Sequence, residues 1–577
     1  MLRFAQTCDA VAATNKKLEK TALVVDYLRA LPSNEASIAA IFLSGRPFAA
    51  YNEATLQVGG ALLWRSIGEL SGKSEPELTE IYRKHGDAGA VAADALPERT
   101  AAILTLIDVQ QAFSEIAAAR GPAAKAHLLR RLLERSTPLE AKYIVKIIGG
   151  DLRIGLKESL VEEAIARAFE APLEQVKRAN MLLGDVGETL RLASAGKLAE
   201  AHLRLFHPID FMLASPVESS EEALSYFENV AVEDKYDGIR AQAHISQGEV
   251  RIFSRTRDEI TESFPELPPA LAGLPKDAIL DGEIVAWTPR GAGIPARTEA
   301  SDSSPLGRAL PFSTLQQRLG RKKVSDKTMR DVPVAYLVFD VLYTGGELLL
   351  NRPLRERAQI LNDLLAAPRS AVVRQSQAQS RLAFEDSDGQ SLATVLRAPV
   401  ATATSADDIE ALFTAARQRG NEGLVMKDLD SLYTPGRRGK SWLKMKRELA
   451  TLDVVVTAVE YGHGKRIGVL SDYTFAVWEG ECLVNIGKAY SGLTDAEIAE
   501  MTPWFLAHKI SERGLRLEVE PKIVLEVAFN NMMRSTRHES GYALRFPRIV
   551  RLRPDKRPED ADTIETVREI YERQHSA

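Results

Sequence analysis

Along the first two hundred residues apolar positions recur every three or four places, the spacing of one helix face. Ala, Leu, Glu and Arg dominate there, with turn residues between the runs. Residues 1–205 are therefore expected to be almost entirely helical. Ser159-Leu160-Val161-Glu162 has the form of a capping box opening a helix. Its apolar side continues through Ala164, Ile165, Ala168 and Phe169. From about Phe206, after the punctuation His207-Pro208-Ile209-Asp210, the pattern changes to short β-rich runs. Val250 to Phe253, Ala278 to Trp287, Val334 to Tyr343 and Gly423 to Lys427 are strand candidates between Pro- and Gly-rich segments. Thr288 to Asp331 is polar and irregular, with Ser301–Pro305 expected as an exposed loop and Leu315 to Arg321 as a short helix. Beyond Leu449 the runs are Asp453 to Val459, Thr474 to Val477, Cys482 to Gly487 and Ile523 to Phe529. Short strands with glycine-rich turns suggest a small barrel. The expected division is a helical domain at 1–205, an α+β domain at 206–447 and a β domain at 448–577.

Composition narrows the class. A chain of 577 residues exceeds one ordinary domain, and 27% charged with 45% hydrophobic residues describes a globular protein. The net charge of −5 excludes a uniformly basic coat, so any nucleic-acid contact must come from local basic faces. Two cysteines, Cys8 and Cys482, leave neither a disulfide framework nor a four-cysteine zinc site. No apolar run approaches the roughly 20 residues of a membrane span, and the N-terminus lacks a signal-peptide core. A reducing cytoplasm is the expected compartment, with no membrane partner.

Candidate chemistry concentrates in a few stretches. Glu233-Asp234-Lys235-Tyr236-Asp237-Gly238-Ile239-Arg240 reads as strand, tight turn, strand, the Asp-Gly hairpin signal. A lysine at a strand end is a candidate nucleophile if its amine loses its proton. Taken alone, the stretch reads first as a surface hairpin with a solvated lysine. Lys444 and Lys446 alternate along a strand and so share one face, with Trp442, Leu443 and Met445 interleaved. Lys146 to Gly155 sets three glycines around Arg153 just before a helix, where a backbone can approach phosphates closely. A simple interhelical turn explains it as well. Gly436-Arg437-Arg438-Gly439-Lys440-Ser441 ends like a P-loop, but Thr434 stands where the first glycine is required, so that reading fails. At the end of the chain Arg534, Arg537, Arg545, Arg548, Arg551, Arg553, Lys556 and Arg557 face only Glu539 and Asp555 in their span. That is the footprint of polyphosphate or DNA binding. Gly462 to Gly468 is a basic loop suited to backbone contact.

The Glu233–Arg240 stretch resembles the nucleotidyl-transfer motif of ATP-dependent DNA ligases, RNA ligases and mRNA capping enzymes. Ser254-Arg255, Asp281-Gly282-Glu283, Phe339-Asp340, Glu422 to Lys427 and Ser441 to Lys446 follow in that superfamily's order, and Arg545-Phe546-Pro547-Arg548 through Lys556 closes it. Gly150, Arg153 and Gly155 are similar to the G-x-L-R-I-G signature of the helical DNA-binding domain in the larger ATP-dependent DNA ligases. Gly86-Asp87-Ala88-Gly89 and Ser535 to Gly541 resemble further elements of that family. The resemblance implies three parts: an all-α DNA-binding domain, an ATP-grasp-like adenylation (nucleotidyltransferase) domain and a C-terminal OB-fold barrel.

It also implies roles. Lys235 would attack the α-phosphorus of ATP. Glu233 would accept the adenine amine and Phe339 would stack on the base, although Phe339 reads equally as a core residue. Arg240, Arg255 and Arg438 would bind ribose and phosphate, and Lys444 and Lys446 the α-phosphate. Glu283 would serve ribose or metal and Glu422 a divalent ion, Mg2+ or Mn2+. Arg553 and Lys556 would orient pyrophosphate, and Gly150, Arg153 and Gly155 would contact nicked duplex DNA. The implied activity is sealing of nicks through lysyl-AMP, in replication, repair or recombination, by a monomer. An RNA ligase or capping enzyme would share the central motifs but leave the helical third unexplained. A silent DNA-binding relative is the other alternative. An NAD-dependent ligase would be expected to carry the missing four-cysteine zinc site.

Overall fold

The computed structural model describes residues 1–52, 54–99, 101–227, 230–288, 307–319, 324–366, 395–446, 450–463 and 466–575. The chain forms two compact units, Leu203–Arg447 with Arg573–Ala577, and Met1–His202 with Glu448–Glu572.

In the first unit two sheets carry the site. One has the order β1-β12-β11-β2-β10, built from β1 (Leu213–Val217), β2 (Val230–Lys235), β10 (Ala401–Ala403), β11 (Gly423–Asp428) and β12 (Arg438–Met445). The other has the order β4-β3-β5-β7-β8, with β6 on β5 and β9 on β7. Its strands are β3 (Ile239–Ser246), β4 (Glu249–Ser254), β5 (Ala278–Thr288), β6 (Arg308–Ala309), β7 (Val334–Thr344), β8 (Glu347–Leu348) and β9 (Val395–Arg397). β5 and β7 are apolar along nearly their whole length because both of their faces are buried. The four strand candidates of this region match β4, β5, β7 and β11 to within one residue at each end.

The expected hairpin is absent. β2 pairs with β10 and β11, whereas β3 pairs with β4 and β5, so Asp237-Gly238 carries the chain from one sheet to the other. Gly238 is required for a different reason than a mirror-image turn. A Cβ there would run into Ile284 O and lie 2.8 Å from Val285 Cγ1. The short helix begins earlier than expected, at Phe312–Gln316, and Ser301–Pro305 lies outside the described residues.

The other unit begins with twelve described α-helices, from Leu2–Ala13 to Val186–Ser194. They enclose one apolar core that includes Phe4, Phe42, Phe113 and Ile144. The helix read from Ser159 starts earlier, at Glu158, with Lys157 as its cap residue and no side-chain cap. Ser159 therefore lies inside it, while Val161, Ala164, Ile165 and Ala168 are buried as the period requires. Capping boxes occur instead at Thr105 and Thr137. The C-terminal part is strand-rich around β13 (Ala450–Tyr461), β14 (Leu470–Glu479) and β15 (Cys482–Ala489). β16 (Lys509–Arg513), β17 (Arg516–Val519), β18 (Val524–Phe529) and β21 (Arg548–Leu552) complete its seven-stranded sheet. β19 (Asn531–Arg534) and β20 (Tyr542–Arg545) form a separate ribbon. β13 is the hub, pairing with β14, β17 and β18.

Candidate active site

Period-two alternation explains how the site is populated. On β2, β11 and β12, Val232, Leu424, Met426, Leu443 and Met445 join a core beneath the helix Ala406–Gln418. The alternate positions, Glu233, Lys235, Lys427, Trp442 and Lys444, then share the opposite face. Lys235 and Gly423 are register partners, and Glu422 N–H donates to Lys235 O at 2.8 Å. That backbone bond sets Glu422 beside the lysine, whose Nζ donates to Glu422 Oε2. Lys446 Nζ lies 3.8 Å from the same oxygen. Burial and the neighbouring charges of Lys446, Arg438, Lys235 and Arg255 hold the Lys444 ammonium below the ordinary lysine value. Two predicted cations thus meet at one carboxylate, and Arg438 and Arg255 join them within electrostatic reach of Lys444.

The facing sheet supplies the rest. Arg240 and Glu283 are register partners on β3 and β5. Desolvation pushes the Glu283 carboxyl up to about 7, opposed by Lys235 and Arg240 and reinforced by Asp281 and Asp237. Phe339 on β7 remains partly exposed, with its ring centroid 6.2 Å from that of Trp442 in an edge-on arrangement. Glu233 Oε2 accepts from Lys427 Nζ at 2.6 Å. Glu233, Phe339, Lys427 and Trp442 therefore meet across the two sheets.

Arg240 is committed within the protein. Its guanidinium donates to both oxygens of buried Asp281, at 3.1 and 2.7 Å, and to Met212 O at 2.6 Å. Burial disfavours its charge, but Asp281 holds its pKa above the ordinary arginine value. Tyr433 Oη donates to the same carboxylate at 2.8 Å. Asp281, Tyr433, Trp442 and Lys427 are site residues that sequence reasoning left without roles. Asp281, Trp442 and Lys427 lie inside the recognised motifs, and for Trp442 and Lys427 the alternation of their strands was the available signal. Behind the sheet, Asp234 binds Arg419 and Asn421 at 2.7 to 2.9 Å and anchors the strand that carries Lys235. Lys440 and Ser441 lie in β12 rather than at a helix start, in keeping with the rejected P-loop.

In the other unit Gly150, Arg153 and Gly155 line the turn between the helices Pro138–Ile148 and Glu158–Ala168. All three have positive φ, of 77°, 53° and 65°. This turn meets the Gly86–Gly89 element. Lys146 Nζ binds Asp87 Oδ2 at 2.9 Å, and Arg153 donates to Gly86 O at 3.0 Å. Within the same unit Tyr82 Oη is 3.2 Å from His463 Nδ1, and Arg83 pairs with Glu512 at 2.9 Å. Arg553 and Lys556 both bind Asp453, and Arg553 also binds Asp555. Arg551 binds Glu526. The basic tail is accordingly less bare than its own span suggested, because Asp453 and Glu526 come from other strands. Of the basic loop, Gly464 and Lys465 lie outside the described residues.

Residues 211–446 match the ATP dependent DNA ligase domain, residues 1–166 the DNA ligase N terminus, and residues 466–556 the ATP dependent DNA ligase C terminal region. The chain is 57% identical to the probable DNA ligase of Koribacter versatilis, covering 100% of this chain and 97% of that one. It is 35% identical to the DNA ligase of Methanothrix thermoacetophila, covering 99% and 98%. The solved structure of Pmar-Lig_PreS3 has the same fold, with a TM-score of 0.55 over 95% of this chain and 99% of that chain at 16% identity. The chain belongs to the ATP-dependent DNA ligase family.

Proposed function

We propose that the protein seals 5′-phosphate/3′-hydroxyl nicks in duplex DNA at the expense of ATP, with Lys235 as the covalent carrier of AMP. One observation carries this reading: Lys235 and Lys446 lie beside Glu422, and Lys235, Lys446, Arg438 and Arg255 are all near enough to Lys444 to act on its charge. Cations in that number suit a triphosphate rather than a neutral substrate. Lys235 Nζ, its proton given up to water, attacks the α-phosphorus, a P–N bond forms, and the bond to the β-phosphate oxygen breaks to release pyrophosphate. The AMP phosphorus is then attacked by a 5′-phosphate oxygen of the nick, which frees the lysine. Attack by the 3′-hydroxyl on that 5′-phosphate joins the strand and expels AMP. Covalent relay divides one difficult displacement into easier ones, and fixed charges lower each barrier.

Glu422 is a hard oxygen donor bound to Lys235, Glu283 is another within electrostatic reach of it, and the two fit a Mg2+ or Mn2+ ion that takes few carboxylates. Among the described residues no three acidic, His or Cys side chains gather as a metal cage. When bound, such an ion offsets charge at the α-phosphate. Glu233 accepts the adenine amine, Phe339 stacks on the base, and Arg553 with Lys556 orients the pyrophosphate. Gly150, Arg153 and Gly155 serve the duplex. The parts act as three domains divided near 205 and 447, in a monomer of the reducing cytoplasm. Both cysteines are free, and no described helix is long and apolar enough to cross a membrane. The test is sealing of a nicked duplex with ATP or NAD, on DNA and on RNA. ATP-dependent joining of DNA is expected, and joining with NAD alone or on RNA alone contradicts the reading.

A further inference from the structure

Lys427 closes the Glu422-to-Lys427 motif without a part in the steps above. Its side chain is only 1% exposed, and its Nζ donates to Glu233 Oε2 at 2.6 Å. The same nitrogen lies 4.2 Å from the ring centroid of Phe339 and 4.4 Å from that of Trp442. A buried cation therefore joins the acid and the two aromatic rings of the proposed base site. Among the described residues nothing donates to the second oxygen of Glu233, Oε1. The indole N–H of Trp442 is buried and meets no acceptor among them. Burial pulls the Lys427 ammonium below the ordinary lysine value, and Glu233 is the foremost group holding it charged. Asp340, the other carboxylate acting on it, is already bound by Arg357 at 2.8 and 2.9 Å.

We propose that Lys427 is a specificity-determining positioning residue: by tying Oε2 of Glu233 it fixes that carboxylate in place and leaves Oε1 to accept from a 6-amino purine. The inference rests on the reading of Glu233 as the acceptor for the adenine amine. An ionised carboxylate only accepts hydrogen bonds. It welcomes the 6-amino group of adenine and repels the 6-oxo group of guanine. Strip away the cation, and a buried carboxyl gains by taking up a proton. It then carries an O–H that can serve the 6-oxo group, and discrimination falls. Among the described residues Arg240, Asp340, Arg397 and Tyr236 are further charged or titratable groups around the pair.

The test is AMP or GMP loading of the full-length protein from ATP or GTP, at about pH 6 and about pH 8, for the native chain, Lys427→Met and Glu233→Ala. The ratio of the two nucleotides is read, so that titration of the shared machinery cancels. Lys427→Met is expected to lower the ATP/GTP preference of kcat/KM by about tenfold or more at the lower pH. Part of the preference should return at the higher pH, and the change should lie in KM for ATP rather than in kcat. A triphosphate of unsubstituted purine should be used alike by the native chain and Lys427→Met. If Glu233→Ala lowers the preference and Lys427→Met keeps the native value at both pH values, the inference is overturned while the Glu233 reading stands. Equal loss of turnover with both nucleotides also overturns it, since that marks a merely structural lysine. If Glu233→Ala itself keeps the native preference, the base reading is wrong and the inference falls with it. Thermal melting checks folding, and Lys427→Gln carries the same expectations should Lys427→Met fail to fold.

Discussion

His244 is buried in β3, where its two ring nitrogens have different duties. Nδ1 accepts from the Phe206 backbone N–H at 2.9 Å, so Nε2 must carry the proton that meets Gln242 Oε1 at 2.8 Å. Gln242 in turn bonds Ile209 in both directions. Residues 206–209 are thus tied to the sheet through one neutral imidazole. Burial, with His207 nearby, pushes the His244 pKa down to about 3. The unfolded chain takes up this proton near pH 6.5 and the folded chain resists it, so the contribution to stability is complete above that pH and lost as pH falls towards 3. At pH 5 the loss amounts to about 2 kcal/mol. Urea melts at pH 7 and pH 5 should show this difference narrowed in His244→Gln, and an unchanged difference refutes the assignment. Gly238 tests the bridge between the sheets. Gly238→Ala should cost about 1–3 kcal/mol, because its methyl group meets Ile284 O and Val285, and the same melts measure it. The need for glycine here was legible in the sequence, but its reason was not. Asp-Gly suits both a hairpin and a close crossover, and only the pairing of distant strands separates them.

Element by element, local runs were read well and their partners poorly. β4, β5, β7 and β11 announce themselves by β-branched and apolar residues. The register that sets Lys427 opposite Trp442 joins residues fifteen apart in the chain, and no local pattern encodes it. Arg240 shows the same limit, since its partner Asp281 is assigned by the β3–β5 pairing rather than by neighbours in sequence. At the end of β21 the tail, whose own span holds only Glu539 and Asp555 as carboxylates, finds Asp453 on β13. Asp453 holds Arg553 and Lys556 together, so the two act as one element. Replacing both by Ala should lower AMP loading from ATP by about tenfold or more. Sealing of a nick already adenylylated at its 5′ end needs no pyrophosphate to be oriented and should persist. Equal loss in both assays assigns the pair to folding or DNA binding instead.

On the scale of the whole chain, the helical third supplies no group to the chemistry proposed at Lys235. In the proposed reading its share of the work is to hold a duplex, which demands many phosphate contacts. Removing residues 1–205 should therefore spare AMP loading but sharply reduce nick sealing, and it should flatten the dependence of DNA binding on salt. A truncated chain that seals nicks as well as the full one contradicts this division of labour. The most direct measurement is mass spectrometry of the purified protein after incubation with ATP and a divalent ion, followed by peptide mapping. One AMP is expected, on Lys235, lost when nicked DNA is added and absent from both Lys235→Ala and Lys235→Arg, the guanidinium staying protonated. AMP on another residue, or AMP still present on Lys235→Ala, contradicts the account.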